Sequence, residues 1–349
     1  MKERDQTIDR LRGLAMLWVI VVHALYWGDF FDNHYINLLK SFFLFEMPLF
    51  FFVTGASNSF SKMDDYFKYV QRRYSRILIP YWFFSVICAG LSIAYFELTE
   101  GITFSKSVIV LFSWLIPFDC QITSLPYLTW ALWFIPVYLC VVLVIPLFKR
   151  MRESSYARCC AVVLIIIFLT TCLFNLGWIQ NVAFYSFWTY MGLFYRDIML
   201  RINQQNFRKK IGWIIIVGAV VLFVLFMLGW PIDMQYNKFP PNIMFGIFSI
   251  IMMSLVFLAV PYINKLYDRL ETHKRICKML ELYSTRSMTI FLYQVFAFVL
   301  TNVPLKFLVP NGGIVVSILK ATICLITTVP ICAILAVIFG RVEQIKRKA

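Results

Sequence analysis

The chain has 349 residues, of which 61% are hydrophobic and only 15% charged, with a mean hydropathy of +0.75. A water-soluble domain is roughly half apolar and a quarter charged, so that class is excluded; the 35 Phe residues are far more than a soluble surface hides. The net charge of +15 does not indicate a nucleic-acid partner, because Lys and Arg fall in short runs between apolar stretches, the pattern of membrane topology.

A spanning helix needs roughly 17–25 mainly apolar residues. Ten segments meet this in chain order: 11–28, 36–60, 77–96, 128–148, 159–177, 180–197, 211–230, 242–263, 287–306 and 314–339. The first follows Arg10 and Arg12, but no small-residue cleavage site closes it, so it reads as a retained helix rather than a signal peptide. The stretch Ser107 to Pro117 is apolar but short. Counting it as a span would put the basic run Lys149-Arg150-Met151-Arg152 outside, so it is expected to be an interfacial or re-entrant piece on the outer side.

With the N-terminus inside, the inner segments are 1–12, 61–76, 149–158, 196–210, 264–286 and 341–349. They carry 28 of the 33 Lys and Arg residues, the exceptions being Lys40, Lys106, Lys238, Lys306 and Lys320. That bias predicts both termini in the cytoplasm. No polar linker, repeat or low-complexity tract divides the chain. The expectation is therefore an all-α, polytopic integral membrane protein of about ten transmembrane helices, with one domain over 1–349. Seven of the nine cysteines lie in apolar stretches and Cys120 is the one candidate on the outer side, so reduced, packing cysteines are expected. No HExxH, paired CxxC or Walker-type loop is present, and no metal is expected.

Ionisable groups inside hydrocarbon are costly and face a cavity or a partner. In the first helix Arg12 and His23 are eleven residues apart, which at 100° per residue returns to nearly the same face after about 16 Å of rise. Asp9 lies on that face one turn below Arg12. Two readings stand: a polar stripe leading inward, or a topology anchor plus a satisfied buried histidine. In the second helix Glu46 lies some 15 residues, about 22 Å, from the inner end, a depth similar to that of His23. It either orients that histidine or caps a helix end broken by Pro48. Arg72, Arg73 and Arg76 lead into the third helix, either as a phosphate clamp, as positive-inside retention or as a site for anionic membrane lipid. Trp130, Trp133, Phe134 and Tyr138 open the fourth, as an interfacial belt or a sugar-stacking surface. Asn175, Tyr185, Asn242, Ser284, Arg286, Tyr293 and Gln294 line a site or join helices.

These pieces together resemble the acyltransferase-3 family of membrane acyltransferases. The resemblance rests on Asp9-Arg10-Leu11-Arg12-Gly13-Leu14-Ala15 with His23, on Met47-Pro48-Leu49-Phe50-Phe51-Phe52-Val53-Thr54-Gly55, and on Arg72-Arg73-Tyr74-Ser75-Arg76-Ile77-Leu78-Ile79-Pro80-Tyr81. The stretch Trp130-Ala131-Leu132-Trp133-Phe134-Ile135 is similar to the branch of fucose O-acetylases. The resemblance implies transfer of an acyl group, usually acetyl, from cytoplasmic acetyl-CoA to a hydroxyl of an envelope glycan or its lipid-linked precursor, in a bacterial plasma (inner) membrane. It implies His23 as the base or acyl relay, with Arg12 positioning acyl-CoA and Arg72, Arg73 and Arg76 contacting its phosphates. Glu46 stands where related sequences often carry His, and Gln294 where a histidine is common. The rival from another class is a transporter or exporter of polysaccharide or a small polar substrate, with His23 and Glu46 as proton relays. The oligomeric state is not legible in the residues.

The resemblance makes one direct prediction. His23→Ala should abolish acyl transfer while expression and topology are unchanged; full retained activity would sink the assignment.

Overall fold

The computed structural model describes residues 5–27, 34–61, 65–117, 126–270, 272–309 and 313–344. The described residues contain helices and no strand. In chain order the helices are α1 (Gln6–Trp27), α2 (His34–Ser41), α3 (Glu46–Ser59), α4 (Tyr66–Glu100), α5 (Phe104–Leu115), α6 (Pro126–Thr129), α7 (Phe134–Glu153) and α8 (Ala157–Leu173). They continue with α9 (Trp178–Gly192), α10 (Tyr195–Arg201), α11 (Gln205–Met227), α12 (Met234–Lys238), α13 (Ile243–Leu270), α14 (Lys274–Thr285), α15 (Ser287–Leu308) and α16 (Ile314–Phe339).

The protein is thus an all-α, multi-pass membrane protein. Among the described residues seven stretches are long and apolar enough to cross a membrane: Leu38–Ser59, α4, α7, α11, α13, α15 and α16. The other three expected spans coincide with α1, α8 and α9. Of these, α8 and α9 have only 17 and 15 residues, and α1 carries Asp9, Arg10 and Arg12 near its start. The short apolar piece near 107–117 is the helix α5, which at 12 residues is roughly 18 Å long, too short to span, and packs on α4. Cys120 lies outside the described residues; the other eight cysteines are free thiols.

One expected helix is interrupted. The segment read as 36–60 is two helices, α2 and α3, joined by a turn over residues 42–45. Pro48 supplies the reason: in a continuous helix its ring would clash with the carbonyl four residues earlier. In the first turn of α3 the missing N–H costs nothing. Glu46 becomes the first residue of α3, where the helix dipole favours a carboxylate.

Helix α1 packs against α3, α13, α14, α15 and α16 and forms the centre of the bundle. The Trp18 indole N–H donates to the Phe43 carbonyl at 2.9 Å, and its ring stacks on Phe43 at 5.3 Å, which fixes the α2–α3 turn against α1. At the basic end Arg10 donates to Asp268 at 2.6 Å and to Asn264 Oδ1 at 3.2 Å, tying α1 to α13. Helix α4 is pinned along its length. Tyr69 donates to Asn58 at 2.9 Å, Tyr74 to the Leu139 carbonyl at 3.1 Å and Tyr81 to the Trp114 carbonyl at 2.7 Å. The helix ends at Gly101, whose φ of 68° suits glycine.

In a bilayer, helices associate through packing and interhelical hydrogen bonds, and small residues let backbones approach. The closest crossing here is α3 on α9, through Gly55 and Gly192. A β-carbon on Gly55 would run into the Thr189 carbonyl, and one on Gly192 into the Phe52 carbonyl. Gly192→Val should therefore force α3 and α9 apart and destabilise the bundle by about 1–3 kcal/mol, read as a lower melting temperature in detergent. A control at Gly212→Val, where an added β-carbon meets no neighbour within 4 Å, should shift it far less.

Candidate functional site

Among the cavities of the bundle, two at different levels hold most of the predicted site residues, and α1 contributes to both. The first, about 150 Å³, lies at the basic end and is lined by Arg12, Ser57, Arg73, Arg76, Ser284 and neighbouring residues. Arg12 donates through Nη1 to Asp9 Oδ1 at 3.1 Å and through Nη2 to Ser57 Oγ at 2.5 Å. Asp9 and Arg12 thus share a face, one turn apart, and Ser57 on α3 completes the clamp.

Arg73 donates to Asn58 Oδ1 at 2.6 Å and sits over the Tyr69 ring at 5.5 Å. Its Nε is buried with no partner among the described residues. Arg76, one turn further along α4, is exposed and lines the same cavity. Arg72 is exposed and does not line it, because it projects about 100° away from Arg73 on the helix. Glu343, which the sequence did not single out, also lines this cavity and accepts from Met288 N–H at 3.1 Å at the start of α15.

The second cavity, about 350 Å³, brings together His23, Glu46, Trp130 and Trp133 with Lys238. His23 Nδ1 lies 3.0 Å from Gln294 Oε1. Gln294 Nε2 donates to the Phe291 carbonyl at 2.8 Å, so the amide oxygen is the atom turned toward the imidazole. Nδ1 must then carry the proton, which makes Nε2 the basic atom of the neutral ring. The ring also stands edge-on to Phe298, centroids 6.3 Å apart.

Glu46 does not contact His23 through a hydrogen bond. It pairs instead with Lys238, and both side chains are buried, at 3% and 4% exposure. Glu46 Oε2 is left buried without a partner among the described residues. Lys238 comes from α12, which Asp233 caps by accepting from Gln235 N–H at 2.8 Å. Ser41 at the end of α2 donates to Asp233 at 3.2 Å and accepts from Met234 N–H at 3.0 Å. The 231–242 segment is thereby held over the cavity.

Trp130 and Trp133 lie in the turn before α7 rather than in a helix. Trp130 is 46% exposed. Trp133 packs against Tyr185 at 5.8 Å and edge-on to Phe239 at 5.1 Å. Phe134 and Tyr138, the rest of that aromatic set, are in α7; Tyr138 lines the first cavity and Phe134 packs between a ring of each. Phe50 lines the first cavity and Phe291 the second, and the buried Phe134 ring stands 5.2 Å from one and 5.1 Å from the other. Tyr138 packs on Phe134 at 5.3 Å. One layer of aromatic rings forms the partition.

Lys238 escaped the sequence reading as a site residue, although it was one of five basic residues outside the basic segments, the signal that would have found it. Gln294 was legible as a polar residue that lines a site or joins helices, at a position where the resemblance implies a common histidine, but its contact with His23 was not. Among the described residues no three His, Cys, Asp or Glu side chains cluster as a metal site would need.

A family model described as an acyltransferase domain, acyltransferase-3, matches residues 5–337. No curated protein and no solved structure matches the chain.

The imidazole geometry yields a prediction. Gln294→Leu removes the group that fixes the His23 tautomer and should lower kcat for acyl transfer by about ten- to a hundred-fold. The KM for the acyl donor should be unchanged. Steady-state kinetics with purified protein check this, and an unaltered kcat would show that Gln294 does not orient the ring.

Proposed function

The chain belongs to the acyltransferase-3 family of membrane acyltransferases, and from that premise we propose that it moves an acetyl group from cytoplasmic acetyl-CoA to a hydroxyl of a cell-envelope glycan or its lipid-linked precursor, in a bacterial plasma membrane. The observation that carries this reading is that Arg12 and His23, on one helix, open into two different cavities divided by one aromatic layer. The basic cavity suits an anionic donor and the second suits a polar acceptor beside a base.

On this reading the donor phosphates meet Arg73 and Arg76, whose guanidinium groups offer forked donors to phosphate oxygens. Arg12, held by Asp9 and Ser57, guides the thioester arm. The arm follows α1 for the roughly 16 Å of rise between Arg12 and His23, and the Phe134 ring turns aside to admit it. In the second cavity His23 Nε2 takes the proton of the acceptor hydroxyl. The oxygen attacks the thioester carbonyl carbon, the C–S bond breaks, and the proton passes from His23 to the departing CoA sulfur. The products are an O-acyl ester and free CoA thiol. Trp130 and Trp133 supply flat faces on which a sugar ring stacks.

Purified protein should bind acetyl-CoA saturably, and Arg73→Ala should weaken that binding by about ten- to a hundred-fold, the range for losing a hydrogen bond to a charged group. Envelope glycans from cells with and without the protein should differ by the mass of one acetyl group. Substrate flux without any acetyl-CoA binding, or glycans of identical mass, would overturn the proposal.

A further inference from the structure

We infer that the second cavity reads its acceptor as an uncharged polyol, with Glu46 Oε2 accepting a second hydroxyl of that acceptor and Lys238 holding the Glu46 side chain in place through Oε1. The inference rests on the proposed glycan reading and names the substrate class within it.

Charge accounting comes first. Of the described residues lining this cavity, Glu46 and Lys238 are the two with fixed formal charges, and they pair with each other. His23 carries no fixed formal charge, and the Gln294 contact assigns the proton of its neutral form to Nδ1. Among the described residues the lining is polar, and its one fixed positive charge is already matched by its one fixed negative charge. A carboxylate or phosphate on the acceptor would have to take Lys238 from Glu46, leaving a buried carboxylate uncompensated beside a second anion, an arrangement that costs several kcal/mol.

The second argument is stoichiometric. An ionised carboxylate only accepts hydrogen bonds. Lys238 occupies Glu46 Oε1, and Oε2 is buried with no partner among the described residues. A buried acceptor of this kind calls for a donor, and an O–H on a ligand in the cavity is one. Lys238 engages one carboxylate oxygen and leaves the other turned into the site. Lys238 is therefore a positioning residue acting through Glu46. The tryptophan faces complete a site for a neutral sugar: apolar surface for ring C–H groups, a base for one hydroxyl and a carboxylate oxygen for another.

The test uses full-length protein in lipid nanodiscs, radiolabelled acetyl-CoA, and the methyl glycosides of glucose, galactose and mannose, each beside its uronate. The wild type should acetylate at least one neutral glycoside with kcat/KM at least about tenfold above that of its uronate. Glu46→Gln leaves the Lys238 charge unpaired in the cavity and should invert that ratio. Lys238→Met should raise KM for the neutral glycoside about tenfold with the acetyl-CoA Kd unchanged. Equal use of neutral and acidic partners by the wild type, or an unchanged ratio in Glu46→Gln, overturns the inference and leaves the glycan reading standing. Acetyl-CoA binding with no transfer to any glycoside overturns both. Should Glu46→Gln fail to fold, judged by melting temperature and acetyl-CoA binding, the wild-type ratio decides alone.

Discussion

A charged or strongly polar side chain withdrawn from water into a helical bundle has to find its partner within the protein, and this architecture is organised around that requirement. Three of the costly groups are matched across helices. Arg12 of α1 meets Ser57 of α3, His23 meets Gln294 of α15, and Glu46 of α3 meets Lys238 of α12. Each match fastens one helix to another, so the polar pairs are also the joints that hold the cavities in shape. Replacing them with apolar residues would keep hydrocarbon packing, from which helices in lipid gain little, but it would remove the interhelical hydrogen bonds and the polar groups that line the cavities.

The separation of the two cavities follows from helix geometry. On a single α-helix two residues eleven apart share a face while lying on different levels, and α1 uses this to put a guanidinium in one chamber and an imidazole in the other. The division itself is aromatic. Phe50, Phe134 and Phe291 come from α3, α7 and α15, so three helices that are far apart in sequence must meet for the layer to close. Rings can rotate aside without exposing polar backbone, which makes them a suitable barrier between two chambers of a membrane protein.

The turn between α2 and α3 shows how a local backbone rule serves the site. Pro48 prevents one continuous helix, and the break presents Glu46 at a helix N-terminus, where the backbone dipole and Lys238 both stabilise its charge. The same break leaves Ser41 at the end of α2, where it holds the α12 segment that delivers Lys238. The close approach of α3 and α9 through Gly55 and Gly192 anchors the other side of α3.

Composition and periodicity alone determined the all-helical membrane class, the helical character of the ten apolar segments, the shared face of Asp9, Arg12 and His23, and the adjacency of Arg73 and Arg76 on one helix. These depend on hydropathy and on the fixed rise and rotation of a helix, which are local properties. The depth estimate for Glu46 and His23 was local too, but it did not tell which group each would bond. Tertiary structure decided that Glu46 pairs with Lys238, 192 residues away, and that His23 pairs with Gln294, 271 residues away. It also decided that Arg72 turns away from the cavity that Arg73 and Arg76 line, and that the span expected at 36–60 is broken. The reason is that a helix's period says which residues share a face, whereas the partner of that face is chosen by which helices pack together.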